Sequence, residues 1–183
     1  MSSATFDRAL ADGQCTADEA LALFDSLPAV PPDAMIGSWR GAGFPTAHPL
    51  DGVLEAFHWY GKRFVDLENV HPLIFTSRSG KHWSINPVWA LPLVGILAGE
   101  RIPKWRWLGT LFQWLLPVFS TRRSRARLRA TEYRGLSSAT MSYDNLPIND
   151  VFRQIDADTM LGAMDLKGMA RPFFFILRRE GTR

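Results

Sequence analysis

The last third of the chain constrains the fold most. Arg127–Arg134, Ser137–Tyr143, Ile148–Ile155, Met160–Leu166 and Pro172–Arg179 are short strand-like runs. They are separated by Gly135, Asp144-Asn145-Leu146-Pro147, Asp156-Ala157-Asp158 and Lys167-Gly168, all turn signals. Strands repeating at about 8–12 residues predict an antiparallel barrel or sandwich. Phe173, Phe174 and Phe175 are consecutive, so adjacent rings must face opposite sides of their strand. One face can line an interior. The other then needs cover from a helix or a partner, and a homodimer would supply it.

Upstream the pattern is mixed. Thr16-Ala17-Asp18-Glu19 predicts a capped helix start, with Ala20, Leu23, Phe24 and Leu27 at helical spacing before Pro28, Pro31 and Pro32 end it. Residues 1–15 read as a loose leader. Ile36-Gly37-Ser38-Trp39-Arg40-Gly41 reads as a strand opening, its glycines allowing backbone paths or close approaches that a side chain would block. Pro49–Phe57 has helical spacing, and Leu73–Thr76, Ser77–Lys81 and His82–Ile85 read as a β-hairpin. Val88–Ala98 and Trp105–Phe119 are almost wholly apolar, around a polar break at Gly99–Lys104. On a helix, Trp105, Leu108, Phe112 and Phe119 fall on one side, and Trp107, Leu111, Trp114 and Val118 near the other. A helix apolar all round must be buried or in lipid.

The expected architecture is therefore a single mainly β domain over 1–183. It has a helical N-terminal leader (1–32), barrel strands at 36–87 and 126–180, and an apolar helical insertion at 88–119. With 46% apolar and 21% charged residues the chain can bury a core. Cys15 is the only cysteine, so no internal disulfide forms. Residues 1–12 lack a secretory signal, and no apolar run reaches the length of about 20 needed to span a bilayer. The expected location is cytoplasmic, with a peripheral membrane contact as an extension.

Two stretches carry a resemblance. Gly37-Ser38-Trp39-Arg40-Gly41 looks like the signature of the bacterial GXWXG family. Ser138–Asp144, Leu146-Pro147-Ile148, Phe152-Arg153 and Leu161–Gly168 resemble the uncharacterised domain that usually follows it. More loosely, Gly37-x-Trp39 is similar to the first-strand motif of lipocalins and their calycin relatives, including haem-binding nitrobindins. That resemblance implies a calycin-like barrel with an internal cavity, and a late cation, Arg178 or Arg179, packed across Trp39. In the nitrobindin relatives the haem-ligating His lies near the C-terminus. Here His48, His58, His71 and His82 all precede the insertion.

The function expected is non-enzymatic binding of a hydrophobic small molecule, a fatty acid or phospholipid, in the barrel. Trp39, Trp59, Tyr60, Phe75, Tyr143 and Phe174 would supply apolar walls. Lys62, Arg63 and Arg153 would supply cations, with Lys62 and Arg63 holding a headgroup and Arg153 pairing with Asp165. No cofactor is called for; haem held by His71 or His82 is one alternative, and a small hydrolase another. No Gly-x-Ser-x-Gly elbow, zinc spacing or calcium loop is present. Arg122, Arg123, Arg125, Arg127 and Arg129 fall within eight residues and, beside the insertion's tryptophans, suit a membrane rim. Aromatics cluster with aliphatics rather than with these arginines, which argues against nucleic acid.

Overall fold

The computed structural model describes residues 6, 15–90 and 106–181; the side chains of Trp89, Ala90, residues 106–111 and Gln113 are outside it. Most of the leader, the first half of the insertion and the side chains of Trp105, Trp107 and Leu111 therefore lie outside the described residues.

Among the described residues, nine strands form one antiparallel sheet. They are β1 (Gly37–Gly43), β2 (Trp59–Phe64), β3 (Val70–Thr76), β4 (His82–Ser84), β5 (Ala126–Tyr133), β6 (Leu136–Tyr143), β7 (Ile148–Asp156), β8 (Thr159–Leu166) and β9 (Phe173–Arg179). Their order is β2-β1-β9-β8-β7-β6-β5-β3-β4, and β2 also pairs β3. Eight strands thus close into a ring, with β4 sharing the β3 edge used by β5. The β3–β5 seam is thin: Val70 pairs Ala126, with Arg125 N donating to Val70 O at 3.0 Å and Leu128 N to Leu67 O at 2.7 Å. The five C-terminal strands fall where their alternation and turns predicted.

Alternation along the strands separates two cores. Inward-facing Trp39, Trp59, Phe75, Leu128, Met141, Phe152, Met160, Phe173, Phe175 and Leu177 belong to the inner cluster. Val151, Leu161, Ala163, Phe174 and Ile176 face outward and pack under α1 (Ala17–Ser26) through Ala20, Leu23, Phe24 and Leu27. The cover required by the Phe173–Phe175 run is therefore this chain's own helix. Helix α1 begins as read: Thr16 Oγ1 accepts from Glu19 N, and the Glu19 side chain accepts from Thr16 N. The leader is not wholly loose, because Phe6 is buried and stacks on Phe44 at 5.9 Å.

Both ends of the ring carry connecting segments. Residues 28–36 cross one end: Gln154 N donates to Pro28 O, Ala139 N to Val30 O, and the Arg179 guanidinium to Ala34 O and Ile36 O. At the other end the helix expected over 49–57 is only one turn, α2 (Val53–Ala56). Helix α3 (Arg106–Phe119) stands beside it, setting Phe112 edge-on against Phe57 at 5.1 Å and Phe75 at 5.0 Å. Its Leu116 is fully buried, whereas Trp114 is 73% and Val118 70% exposed. The two-sided helix pattern is thus resolved: the Phe112 side packs inward and the Trp114 side faces out. Among the described residues no helix is long and apolar enough to cross a membrane.

Candidate functional site

The site is built by a bulge. Trp39 on β1 points inward and pairs Lys62 in register. Trp59 also points inward, and strict alternation from it would turn Lys62 out. It does not, because β2 carries one extra residue: Trp59 pairs Phe75 while Gly61 pairs Ile74. Gly61 sits at φ +151°, and a Cβ there would lie 1.9 Å from Trp39 O. Only glycine fits, and the bulge delivers the Lys62 ammonium to the interior.

On β7 the period of two puts Ile148, Asp150 and Phe152 on the inner face. Lys62 Nζ meets Asp150 Oδ2 at 2.7 Å, with side chains only 3% and 1% exposed. In the eight-membered ring, β2 and β7 are four places apart by either route, so this ion pair spans the interior. Nζ also donates to Pro72 O at 3.2 Å. Its remaining surroundings are aromatic, with the rings of Phe175, Trp59 and Tyr143 at 5.0, 5.5 and 5.8 Å. Two inward glycines make room for these rings: a Cβ on Gly41 would strike the Trp59 indole at 2.1 Å, and one on Gly162 the Phe175 ring at 2.4 Å.

Burial pushes the Asp150 carboxyl above its ordinary range, with the Lys62 ammonium opposing that rise. Burial likewise holds the Tyr143 phenol protonated far above its usual value, reinforced by the Asp150 charge. Asp150 Oδ1 and the indole Nε1 of Trp59 are both buried and have no hydrogen-bond partner. The site can therefore neutralise its own charge and still offer one buried acceptor and one buried donor. Tyr143, Met164, Phe57 and Trp83, which pack against this cluster, are only part-buried.

Of the residues singled out in the sequence, Trp39, Trp59, Lys62, Phe75 and Tyr143 share this interior. The others do not. Arg63 follows Lys62 and points out into solvent, so the two cations cannot form one clamp. Tyr60 is also outside; its hydroxyl donates to Glu180 and its ring meets His82 edge-on at 3.8 Å. Phe174 packs on Phe24 of α1 at 5.9 Å. Arg153 is buried on the outer face, its guanidinium 5.0 Å over Phe24 and donating to Tyr133 O and Leu136 O. It does not pair with Asp165: both face outward, but Arg153 lies opposite Leu161 and Asp165 lies opposite Asn149, four residues away along the strands. His71 bonds Ser84 on the outer face, and His82 is exposed. Asp156-Ala157-Asp158 is a turn, with Asp158 N donating to Asp156 Oδ1 at 2.8 Å. Asp150 escaped notice, although a lone carboxylate between Ile148 and Phe152 on one strand face was its signal.

The interior's closed end is held by the opening motif. Trp39 is fully buried and its Nε1 donates to Met35 O at 2.7 Å. The late cation expected across it is Arg179, 4.2 Å above the indole and paired with Asp158 at 3.2 Å. Among the described residues no group of three or more His, Cys, Asp or Glu side chains could hold a metal ion.

Comparison with known proteins bears on the family and the fold. Residues 22–80 match the GXWXG protein family, and residues 124–179 match a domain of unknown function, DUF4334. The crystal structure of a protein from Thermomonospora curvata is similar at 32% identity and a TM-score of 0.72, covering 98% of this chain and 99% of that one. No curated protein matches. The chain belongs to the GXWXG proteins and carries the C-terminal domain of unknown function with it.

Proposed function

We propose that the interior of the ring is a calycin-like binding site for a small hydrophobic molecule. One observation carries this reading: an ion pair spans an otherwise apolar interior, among aromatic rings, with a donor and an acceptor left unpaired. A pair this deep contributes little net stability compared with well-packed apolar residues. A pair in this position fits recognition better than stability. The apolar body of the ligand lies along Trp59, Phe75 and Phe175, each buried CH₂ contributing about 0.8 kcal/mol.

Helix α3 stands where such a molecule would pass, with Trp114 and Val118 facing outward and exposed Arg122 and Arg123 directly after it. Indole at a headgroup boundary and guanidinium beside phosphate make this face suited to touch a membrane surface while the ligand is exchanged. The testing experiment is native mass spectrometry of the purified chain, followed by solvent extraction. A stoichiometric acyl lipid or other apolar molecule is expected. A mass equal to the bare chain, unchanged after incubation with decan-1-ol, fatty acids and phospholipids, would sink the reading.

A further inference from the structure

We infer that the interior selects an uncharged, hydroxyl-bearing end on its apolar ligand, and discriminates against a carboxylate. This rests on the interior-binding reading above and narrows its ligand class. The Lys62 ammonium has three N–H donors. One goes to Asp150 Oδ2 at 2.7 Å and one to Pro72 O at 3.2 Å, leaving the third among the faces of Trp59, Tyr143 and Phe175. Its charge is already matched by Asp150. Two unpaired buried polar atoms belong to residues around it: Asp150 Oδ1, an acceptor, and Trp59 Nε1, a donor.

An incoming carboxylate would bring a second anion against Asp150 in a medium where like charges repel strongly, with nothing to donate to Oδ1. A primary ammonium would satisfy Oδ1 but meet the Lys62 cation and leave the indole N–H unpaired. A ketone would serve the indole and leave Oδ1 bare. A hydroxyl both donates and accepts, so of these head groups it is the one chemically suited to both kinds of atom. The phenol of Tyr143, held protonated by burial, is hydrogen-bonded to the Asp150 carboxylate and keeps a neutral acceptor oxygen beside it.

The test is calorimetric titration of the full chain at pH 7.5 with decan-1-ol, decanoate and decylammonium, which share one apolar tail. Decan-1-ol is expected to bind at least about tenfold more tightly than either ion, the usual penalty of a buried polar group left unpaired. Asp150→Asn frees the Lys62 charge and is expected to invert the order, so that decanoate binds more tightly than the alcohol. Trp59→Phe keeps an aromatic ring and removes the N–H; it is expected to weaken the alcohol about fivefold and carries the test if Asp150→Asn does not fold by circular dichroism. Decanoate binding the wild type as tightly as the alcohol would overturn the hydroxyl assignment while leaving interior binding intact. Binding of none of the three would overturn both.

Discussion

Replacing Lys62 with Met tests whether the spanning pair has the electrostatic character its geometry implies. Methionine keeps most of the unbranched stem, so packing against Trp59 and Phe175 changes little. What disappears is the ammonium, 2.7 Å from a carboxylate that is 1% exposed, and the bond to Pro72 O. Breaking a buried pair by removing one partner costs about 3–5 kcal/mol, because the other charge stays buried and uncompensated. That is a large fraction of the roughly 5–15 kcal/mol that holds a domain folded. Replacing both partners, as in Lys62→Met with Asp150→Leu, removes the stranded charge. The double variant is expected to recover most of the loss, with a coupling of several kcal/mol in the cycle.

The single variant also carries a pH signature. A buried carboxyl without its cation has a folded-state pKa raised above its unfolded value; burial already raises that of Asp150 with Lys62 present. The folded chain then binds the proton more tightly than the unfolded chain, so stability from this group is gained as pH falls through the folded pKa. Urea unfolding followed by tryptophan fluorescence should show Lys62→Met far below wild type at pH 7.5 and closer to it at pH 5. A deficit under about 1 kcal/mol, or one of equal size at both pH values, would refute a desolvated pair.

Other predictions follow from single contacts. Gly61→Ala forces a side chain to within 1.9 Å of Trp39 O at φ +151°, and should cost at least about 3 kcal/mol in urea unfolding or abolish soluble expression. Arg179→Ala removes the cation over Trp39 and its bonds to Ala34 O and Ile36 O, and should cost about 2–3 kcal/mol by the same assay. Burial lowers the pKa of His48 and His71 from the ordinary 6.5, so the unfolded chain takes up these protons first. Stability should therefore fall as pH drops below about 6.5, and a His48→Gln, His71→Gln variant should show a shallower fall in acid unfolding curves. Trp114→Glu lies on the exposed side of α3, so stability should stay within about 0.5 kcal/mol while sedimentation with anionic phosphatidylglycerol vesicles declines.

What could be read from the sequence depended on how local each signal was. The strands after residue 126 alternate strictly between turn residues, and each was legible to within a residue or two. The Thr16–Glu19 cap was legible because its chemistry is complete within four residues. The short α2 was overestimated, because apolar spacing over Pro49–Phe57 marks packing against α3 and the ring's end as well as helix. The site was harder. Facing depends on register, and one bulge at Gly61 reverses it for Lys62 and Arg63 together. Arg153 drew attention as a charge among apolar residues, yet Asp150 on the opposite face of the same strand holds the interior charge. The aromatic partners of Lys62 come from β2, β6 and β9, and no sequence spacing connects them.

The two matched family segments do not correspond to two folding units. Residues 22–80 supply β1 to β3, and residues 124–179 supply β5 to β9, but neither set closes a ring alone. β1 is completed by β9, with Trp39 opposite Arg179, and β3 meets β5 at Val70 and Ala126. The ion pair and several of its aromatic contacts cross the same divide. Lys62 comes from the first segment and Asp150 from the second; Trp59 meets Phe175, and Gly41 must stay bare for that indole to fit. The opening motif therefore acts in two ways. Trp39 fixes one end of the interior against the last strand, and Gly41 shapes the wall beside the ion pair. Neither half can form the ion pair and its aromatic surroundings without the other.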